Sequence, residues 1–342
     1  MTEISNLAGS TISPGTGPKG PSISLEQMIA LETFSTGFEP SAQRKILSSM
    51  SGGHQSRFRG RGMDFNEVRA YQAGDEIKNI DWRVTARTNK VHTKLFTEEK
   101  ERPVFIVADQ SASLAFGSKT AFKSVTAAYT AALLAWSCNH SGDRVGGIIF
   151  SDNAHRELKP REGKKSILRY LKTLSEFNKG LIKQGLAQQL TQDQMSPSLA
   201  SNTALDKALS SLHRVIRPGS LILILSDFAA FNQQTINNLR LLNRHNDLIS
   251  FFVYDPLEKS PPKKRGAYPV SDGINCGTWN IQSNLQNQSY QEHFLNHHLE
   301  IKSALLKLGI PLIDICTEDQ PVAILNETFG KKRKNKKRWL CE

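Results

Sequence analysis

From residue 103 onward, short runs of Val, Ile and Leu alternate with longer segments that have the periodicity of helices. The strand-like runs cover residues 104–108, 144–150, 220–226, 248–254 and 310–315. They are apolar along most of their length, which is typical of parallel strands buried on both faces. Strands separated by helices predict a parallel sheet with helices on both sides. We therefore expect an α/β protein with a doubly wound, mostly parallel sheet.

The rest of the chain divides into segments of different composition. Ser, Gly, Thr and Pro dominate residues 1–23, which predicts a disordered start. Residues 24–100 combine short helices with a segment dense in Arg, Asp, Gly and aromatic residues, where we expect a small β-rich unit docked on the sheet. Within it, Trp82 is predicted to anchor a polar network. The α/β domain should cover residues 101–328, and residues 329–342 form a basic tail.

The basic residues are concentrated in that tail. Residues 331–338, KKRKNKKR, contain seven basic side chains and no acid, so they account for more than half of the net charge of +12. One interpretation is a solvated chain end, and the other is contact with anionic lipid or nucleic acid. Trp339 and Leu340, which follow the charges, add some support for a membrane surface.

The composition predicts a globular protein of the cytoplasm. Apolar residues make up 38% of the chain and charged residues 22%. No apolar run is long enough to cross a bilayer, and the first residues lack the pattern of a signal peptide. The four cysteines are scattered, which favours reduced thiols over a zinc ribbon or a disulfide framework. We expect a cytoplasmic location. The basic tail would also allow peripheral contact with the inner membrane surface.

A possible cation loop follows the first of the apolar strands. The run at 104–108 ends at Asp109, and hydroxyl side chains follow at Ser111 and Ser113. Open α/β sheets bind ligands at this end of their strands. One carboxylate and two hydroxyls suit a hard cation such as Mg²⁺. The triplet alone is equally consistent with a helix cap formed by one of the serines.

Two further side chains extend this motif. Asp227 directly follows the apolar strand at 220–226, and Thr203 stands at the start of a predicted helix. In a doubly wound sheet the ends of neighbouring central strands lie side by side, so Asp109 and Asp227 should meet. Thr203 could reach the same crevice from a preceding loop.

Several other segments form a recognisable series along the chain. They are SRFRGRGMDF at 56–65, EVRAYQAGD at 67–75, IDWRVTAR at 80–87, DQSAS at 109–113, FGS at 116–118, GDRV at 142–145 and SDF at 226–228. In its D-x-S-x-S, Thr and Asp residues, the chain resembles the metal-ion-dependent adhesion site of von Willebrand factor A-type domains. In the whole series it is more similar to one bacterial family, domain of unknown function 58, which is often encoded beside MoxR-type AAA+ ATPases.

This resemblance implies both a metal site and a kind of function. A divalent cation, Mg²⁺ or another such as Mn²⁺, would be held by Asp109, Ser111, Ser113, Thr203 and Asp227. In the larger family a carboxylate from a partner protein can complete the metal shell. The implied function is a non-enzymatic, cation-dependent protein-binding adaptor. It would work with a MoxR-type AAA+ ATPase, in a chaperone-like role, in the assembly or maturation of protein complexes.

Other functions stay open at the level of the residues. The same oxygen ligands could serve a Mg-dependent phosphoesterase, although no general base is evident near the loops. The tail could bind nucleic acid or an anionic membrane surface by itself. His293 and His297 have a zinc-compatible spacing, but an exposed polar helix is favoured because no H-E-x-x-H pattern accompanies them. The chain lacks a P-loop, so we do not expect ATP hydrolysis.

Overall fold

The computed structural model describes residues 17–40, 64–72, 75, 77–97, 102–190, 203–260, 266–271, 276–281 and 284–330. The chain forms two compact units, of which the smaller covers residues 57–101 and the larger contains the rest. The predictions for the first 16 residues and for the basic tail at 331–342 lie outside the described residues.

Helices and strands alternate through most of the described chain. The helices are α1 (Leu25–Ala30), α2 (Trp82–Thr88), α3 (Lys123–His140), α4 (Lys164–Leu190), α5 (Ala204–Val215), α6 (Gln233–Asn243), α7 (Pro256–Lys259), α8 (Asn284–Lys307) and α9 (Pro321–Phe329). The strands are β1 (Asp64–Ala70), β2 (His92–Thr97), β3 (Pro103–Asp109), β4 (Arg144–Phe150), β5 (His155–Arg161), β6 (Leu221–Ser226), β7 (Asp247–Tyr254), β8 (Gly266–Ser271), β9 (Cys276–Ile281) and β10 (Leu312–Cys316). Within the described ranges, no helix combines the length and apolar character that a membrane span requires.

The larger unit is built on a six-stranded sheet with the strand order β10-β7-β6-β3-β4-β5. All neighbouring strands are parallel except β4 and β5, which pair antiparallel. The chain moves outward from β3 to β4 and β5, then returns to the other side of β3 for β6, β7 and β10. This reversal leaves a crevice at the C-terminal ends of β3 and β6, where sheets of this kind bind ligands. The predicted doubly wound, mostly parallel α/β fold is confirmed.

The central strands are apolar throughout because both faces of the sheet are covered. Along β3, Val104, Ile106 and Ala108 pack into one core, whereas Phe105 and Val107 pack into the other. The first core is completed by side chains from α1, α3, α4 and α9, and the second by side chains from α5, α6 and α8. Burial on both faces favours continuous Val, Ile and Leu runs over alternating ones.

Residues 17–40 belong to the larger unit. Ser24 caps α1, as the S-L-E-Q sequence predicts, and Met28 is completely buried. The indole Nε1 of Trp136, on α3, donates a hydrogen bond of 3.0 Å to the carbonyl oxygen of Met28. Ile23 is also buried, so a residue before the expected boundary at residue 24 packs into the core of the larger unit. Contacts with a distant helix hold this segment, and its composition alone does not reveal them.

In the described part of the smaller unit, β1 and β2 form an antiparallel pair, and the short helix α2 lies between them in the chain. Asp81 caps α2 by accepting hydrogen bonds from the backbone N–H groups of Arg83 and Val84. Trp82 is 66% exposed, so the prediction that it anchors a polar network is wrong. The docking of this unit on the sheet stays a prediction.

Candidate functional site

The crevice at the ends of β3 and β6 brings together four of the five predicted site residues. Asp109 is the last residue of β3, and Asp227 follows directly after β6. Because Ala108 pairs with Leu225, Asp109 comes beside Ser226, whose hydroxyl donates a hydrogen bond of 2.5 Å to Asp109 Oδ2. The crevice is lined by both aspartates and by Ser111 and Ser113.

The loop after β3 is held in a tight turn. Asp109 Oδ1 accepts a hydrogen bond of 2.9 Å from the backbone N–H of Ser111. The Ser111 and Ser113 hydroxyl oxygens are 3.2 Å apart and share a hydrogen bond. Ser111 precedes a short 3₁₀ turn, but its side chain makes no capping bond, so the helix-cap interpretation does not hold for this serine. The loop therefore presents its polar oxygens close together at the end of the central strand.

A residue outside the motif also supports this loop. Asp152, in the turn between β4 and β5, accepts a hydrogen bond of 2.8 Å from the backbone N–H of Ala112. Its other carboxylate oxygen is buried and has no hydrogen-bond partner among the described groups. The sequence offered no spacing signal for Asp152, because it comes from a hairpin turn that only the sheet brings near.

The crevice is small and mixed in character. Its volume is about 20 Å³. A space of this size holds about one water molecule or one small ion. Phe150, Leu205 and Phe228 form the apolar part of its lining. A cluster of oxygen ligands with apolar walls and room for one occupant is compatible with a single hard cation.

Repulsion between buried carboxylates also favours a cation here. Burial and, to a smaller extent, the nearby charge of Asp227 raise the pKa of Asp109 to about 7, although hydrogen bonds from Ser111 and Ser226 act in the opposite direction. A positive charge near both groups would stabilise their ionised forms. The two aspartates therefore form a site whose charges a divalent cation would satisfy.

Lys123 supplies one positive charge beside the crevice. It is the first residue of α3, and only 3% of it is exposed. Its Nζ lies 2.9 Å from Asp227 Oδ2 and 2.6 Å from Glu258 Oε1. Burial alone would lower the pKa of Lys123, but the two carboxylates outweigh it and raise the pKa well above the usual value. The lysine is therefore charged at neutral pH.

The same contact controls the ionisation of Asp227. Burial acts to raise the pKa of Asp227, but the charge and hydrogen bond of Lys123 outweigh burial and hold the pKa below its usual range. The backbone N–H of Ala229 donates to the other carboxylate oxygen at 3.1 Å. Asp227 is thus an ionised side chain with a fixed orientation. Lys123 belongs to no motif, and no signal in the sequence could have identified it.

A further carboxylate ties this end of the sheet together. Asp255 follows β7 and is fully buried. Its Oδ2 accepts hydrogen bonds from the Ser118 backbone N–H at 2.9 Å and from the Thr317 hydroxyl at 2.6 Å. Burial raises the pKa of Asp255, yet these hydrogen bonds lower it by more. Since Glu258 accepts a hydrogen bond from the Asp255 backbone N–H at 2.9 Å, Asp255 and Lys123 belong to one network.

Thr203 is the predicted site residue that the structure places differently. It precedes α5 and is exposed, whereas the next two residues, Ala204 and Leu205, line the crevice. Thr203 instead lines a larger neighbouring cleft. The helix does begin beside the crevice, as predicted, but the side chain of its preceding residue lies outside the crevice lining.

The ligand chemistry at the crevice fits Mg²⁺ or Mn²⁺ better than a soft metal. Its polar side chains offer carboxylate and hydroxyl oxygens, which these cations prefer. Across the described ranges, no group of three or more His, Cys, Asp and Glu side chains could hold a metal ion. The zinc interpretation of His293 and His297 therefore lacks a third ligand there. The neighbouring His298 pairs with Asp314 at 2.9 Å.

Comparison with known proteins identifies a family but no activity. Residues 67–300 match the family model described as "Protein of unknown function DUF58", and this range contains the whole crevice. Uncharacterized proteins of Mycobacterium tuberculosis and Mycobacterium bovis are 26% identical to the chain over 224 residues, which is 66% of this chain and 65% of each relative. The chain thus spans about two thirds of the length of these relatives.

Two solved structures are also similar to this chain. One is the conserved hypothetical protein BatB from Bacteroides thetaiotaomicron, with 13% sequence identity and a TM-score of 0.37. The other is an aerotolerance-related membrane protein from Bacteroides fragilis, with 16% identity and a TM-score of 0.36. Each comparison covers 66% of this chain and 96% of the other.

Proposed function

Because this chain belongs to the DUF58 family, whose description names no activity, we propose a function from the crevice itself. The protein acts as a non-enzymatic adaptor that binds a partner protein through a divalent cation. The observation that carries this proposal is the convergence of two buried aspartates and two serine hydroxyls at the point where the strand order reverses.

The proposed cation is Mg²⁺ or Mn²⁺. Asp109, Ser111, Ser113 and Asp227 would hold it, because their oxygens line one space of suitable size. Thr203 is the additional ligand that the resemblance to von Willebrand factor A-type domains implies, and the geometry supports it least. When bound, the cation would offer an electrophilic position to an oxygen ligand from outside the chain. A carboxylate from a partner protein is the ligand that the resemblance implies.

The surroundings of the crevice support binding over phosphoester hydrolysis. Lys123 is already paired with two carboxylates, so it is not available to neutralise a phosphate. The volume of about 20 Å³ also leaves little room for a phosphate ester beside an ion. By resemblance, the proposed partner is a MoxR-type AAA+ ATPase or a protein on which such an ATPase acts.

The test is capture of a partner from native lysate with and without EDTA. We expect wild-type protein to capture a partner in Mg²⁺ and to lose it in EDTA. Asp109→Asn should lose capture even in Mg²⁺, although the amide can still accept the hydrogen bond from the Ser111 backbone. Asp314→Asn is the matched control, since Asp314 is an exposed carboxylate that pairs with His298 and does not line the crevice.

Two results would contradict this function. Capture by the wild type that persists in excess EDTA would exclude a cation-bridged contact. Phosphatase activity that requires both Mg²⁺ and Asp109 would instead support the phosphoesterase. Circular dichroism of Asp109→Asn checks that any loss of capture does not come from unfolding.

A further inference from the structure

A second, larger cleft, which is open to solvent, lies beside the crevice. It has a volume of about 700 Å³ and is formed by one face of α5 with the beginnings of β5 and α6. This volume lies in the range of ligand-binding clefts in proteins, whereas the crevice holds one small occupant. We call it the basic cleft, and the residues that define it are His155, Thr203, Lys207, Ser211 and Arg214.

The basic cleft carries two cationic side chains on the same face of α5. Lys207 and Arg214 are seven residues apart, which is two helical turns, and both are exposed. Arg214 donates a hydrogen bond of 3.1 Å to the Ser211 hydroxyl. Neither cation forms an ion pair with another of the described residues. The cleft therefore presents two positive charges that an anionic ligand could pair with.

The acidic residue in the cleft has a different role. Asp206 Oδ1 accepts a hydrogen bond of 2.8 Å from the Thr235 hydroxyl, and Oδ2 accepts one of 2.9 Å from Asn232 Nδ2. These bonds join α5 to the start of α6 and use both oxygens of the carboxylate. Asp206 reduces the positive charge of the cleft by one, but it forms no ion pair with Lys207 or Arg214, and neither does any other described carboxylate.

The basic cleft and the crevice are neighbours along two segments of chain. Thr203 lines the cleft and Ala204 lines the crevice, while Ala230 lines the crevice and Asn232 lines the cleft. An extended peptide advances about 3.3 Å per residue. A peptide with one carboxylate at the crevice would therefore place side chains only a few residues away in the basic cleft.

From these observations we propose that the basic cleft binds an acidic peptide segment of the partner protein. Carboxylates of that segment pair with Lys207 and Arg214, while another carboxylate of the same segment reaches the crevice. The second part rests on the proposed function of the crevice, whereas the cleft depends only on its own charges. The partner is thus specified by chemistry, as a protein with a short run of Asp or Glu residues.

The test uses a fluorescent hexaglutamate peptide and the full chain, with anisotropy as the measurement. We expect hexaglutamate to bind and hexaglutamine not to bind at 150 mM salt. Lys207→Gln combined with Arg214→Gln should weaken binding by about tenfold or more, because two charge-assisted contacts are lost. Lys172→Gln, an exposed lysine on α4 at the other face of the sheet, is the control and should bind as wild type does. The basic tail is identical in all variants, so differences among them report the cleft.

The outcomes separate the cleft from the crevice. If the double variant binds hexaglutamate as tightly as the wild type does, the proposal that the cleft binds acidic peptides is overturned, even if EDTA weakens binding by both proteins. Weaker binding by the double variant supports the cleft, and if EDTA and Asp109→Asn then have no effect, only the cation-bridged function fails. If hexaglutamate does not bind but inorganic phosphate binds wild type and not the double variant, the cleft is another kind of anion site and the proposal is overturned.

Discussion

Replacing Lys123 with methionine is the perturbation that most sharply probes the charges around the crevice. The substitution keeps an unbranched side chain in the buried space but removes the positive charge between Asp227 and Glu258. Removing one partner of a buried ion pair costs about 3–5 kcal/mol, because the other charge stays buried without compensation. Asp227 keeps its bond from Ala229, and Glu258 is a quarter exposed, so we expect the lower half of this range.

The assay is denaturant unfolding in EDTA, followed by tryptophan fluorescence, to which the buried Trp136 contributes. We expect the free energy of unfolding of Lys123→Met, extrapolated to zero denaturant, to be about 3–4 kcal/mol lower than that of the wild type. Adding Mg²⁺ should restore part of the stability of the variant, since a cation that binds only the folded state shifts the equilibrium toward it. Lys119→Met is the matched control, because Lys119 is an exposed lysine whose pairing with Glu318 lies in solvent.

Two results would refute this reasoning about Lys123. The free energy of unfolding could be the same for Lys123→Met and wild type, in which case the buried charges do not depend on the lysine. Alternatively, Lys119→Met could lose as much stability as Lys123→Met, and burial would then not be the source of the effect.

Two other predictions concern the network and the sheet. Asp255→Asn should cost about 2–4 kcal/mol at pH 7, because two donors lose a charged acceptor. The pKa of Asp255 is lower in the folded state than the ordinary carboxyl value of about 4. The stability difference between wild type and Asp255→Asn should therefore be present above about pH 4 and should shrink as the pH falls below this value. Urea unfolding from pH 7 to pH 3 measures this difference, and a difference that stays constant would contradict the prediction. Gly147→Ala should destabilise the sheet by about 2 kcal/mol or more, because a Cβ would lie 2.0 Å from the carbonyl oxygen of Ile106. Thermal unfolding measures the loss, and Gly180→Ala is the control because a Cβ at Gly180 would meet open space. Equal Tm values for these two variants would contradict that packing argument.

The sheet and the two aspartates of the crevice could be predicted because local sequence determines them. The predicted strand at 144–150 coincides with β4, and the run at 220–226 contains β6. Each of these strands is a short, mostly apolar run, because burial on both faces of the sheet favours apolar residues. Asp109 and Asp227 stand where such runs end, so strand order alone brings them together.

The parts that could not be predicted depend on contacts between distant segments. Lys123 looks like an ordinary lysine at the start of a helix, and only the fold places Asp227 and Glu258 around it. The position of the Thr203 side chain depends on how the first turn of α5 is rotated. Thr203 lines the cleft, whereas the next residue, Ala204, lines the crevice. Ile23 is buried by a core that its own Ser- and Pro-rich neighbourhood does not reveal.

Direct measurement of cation binding tests the central claim most directly. Wild-type protein and Asp109→Asn are titrated with Mn²⁺, and free Mn²⁺ is followed by electron paramagnetic resonance. We predict one Mn²⁺ site in the wild type that Mg²⁺ displaces, and at least tenfold weaker binding in Asp109→Asn, because the variant removes a carboxylate ligand. Equal Mn²⁺ affinity of the two proteins, or no Mn²⁺ binding by the wild type at millimolar concentration, would contradict a cation site at the crevice.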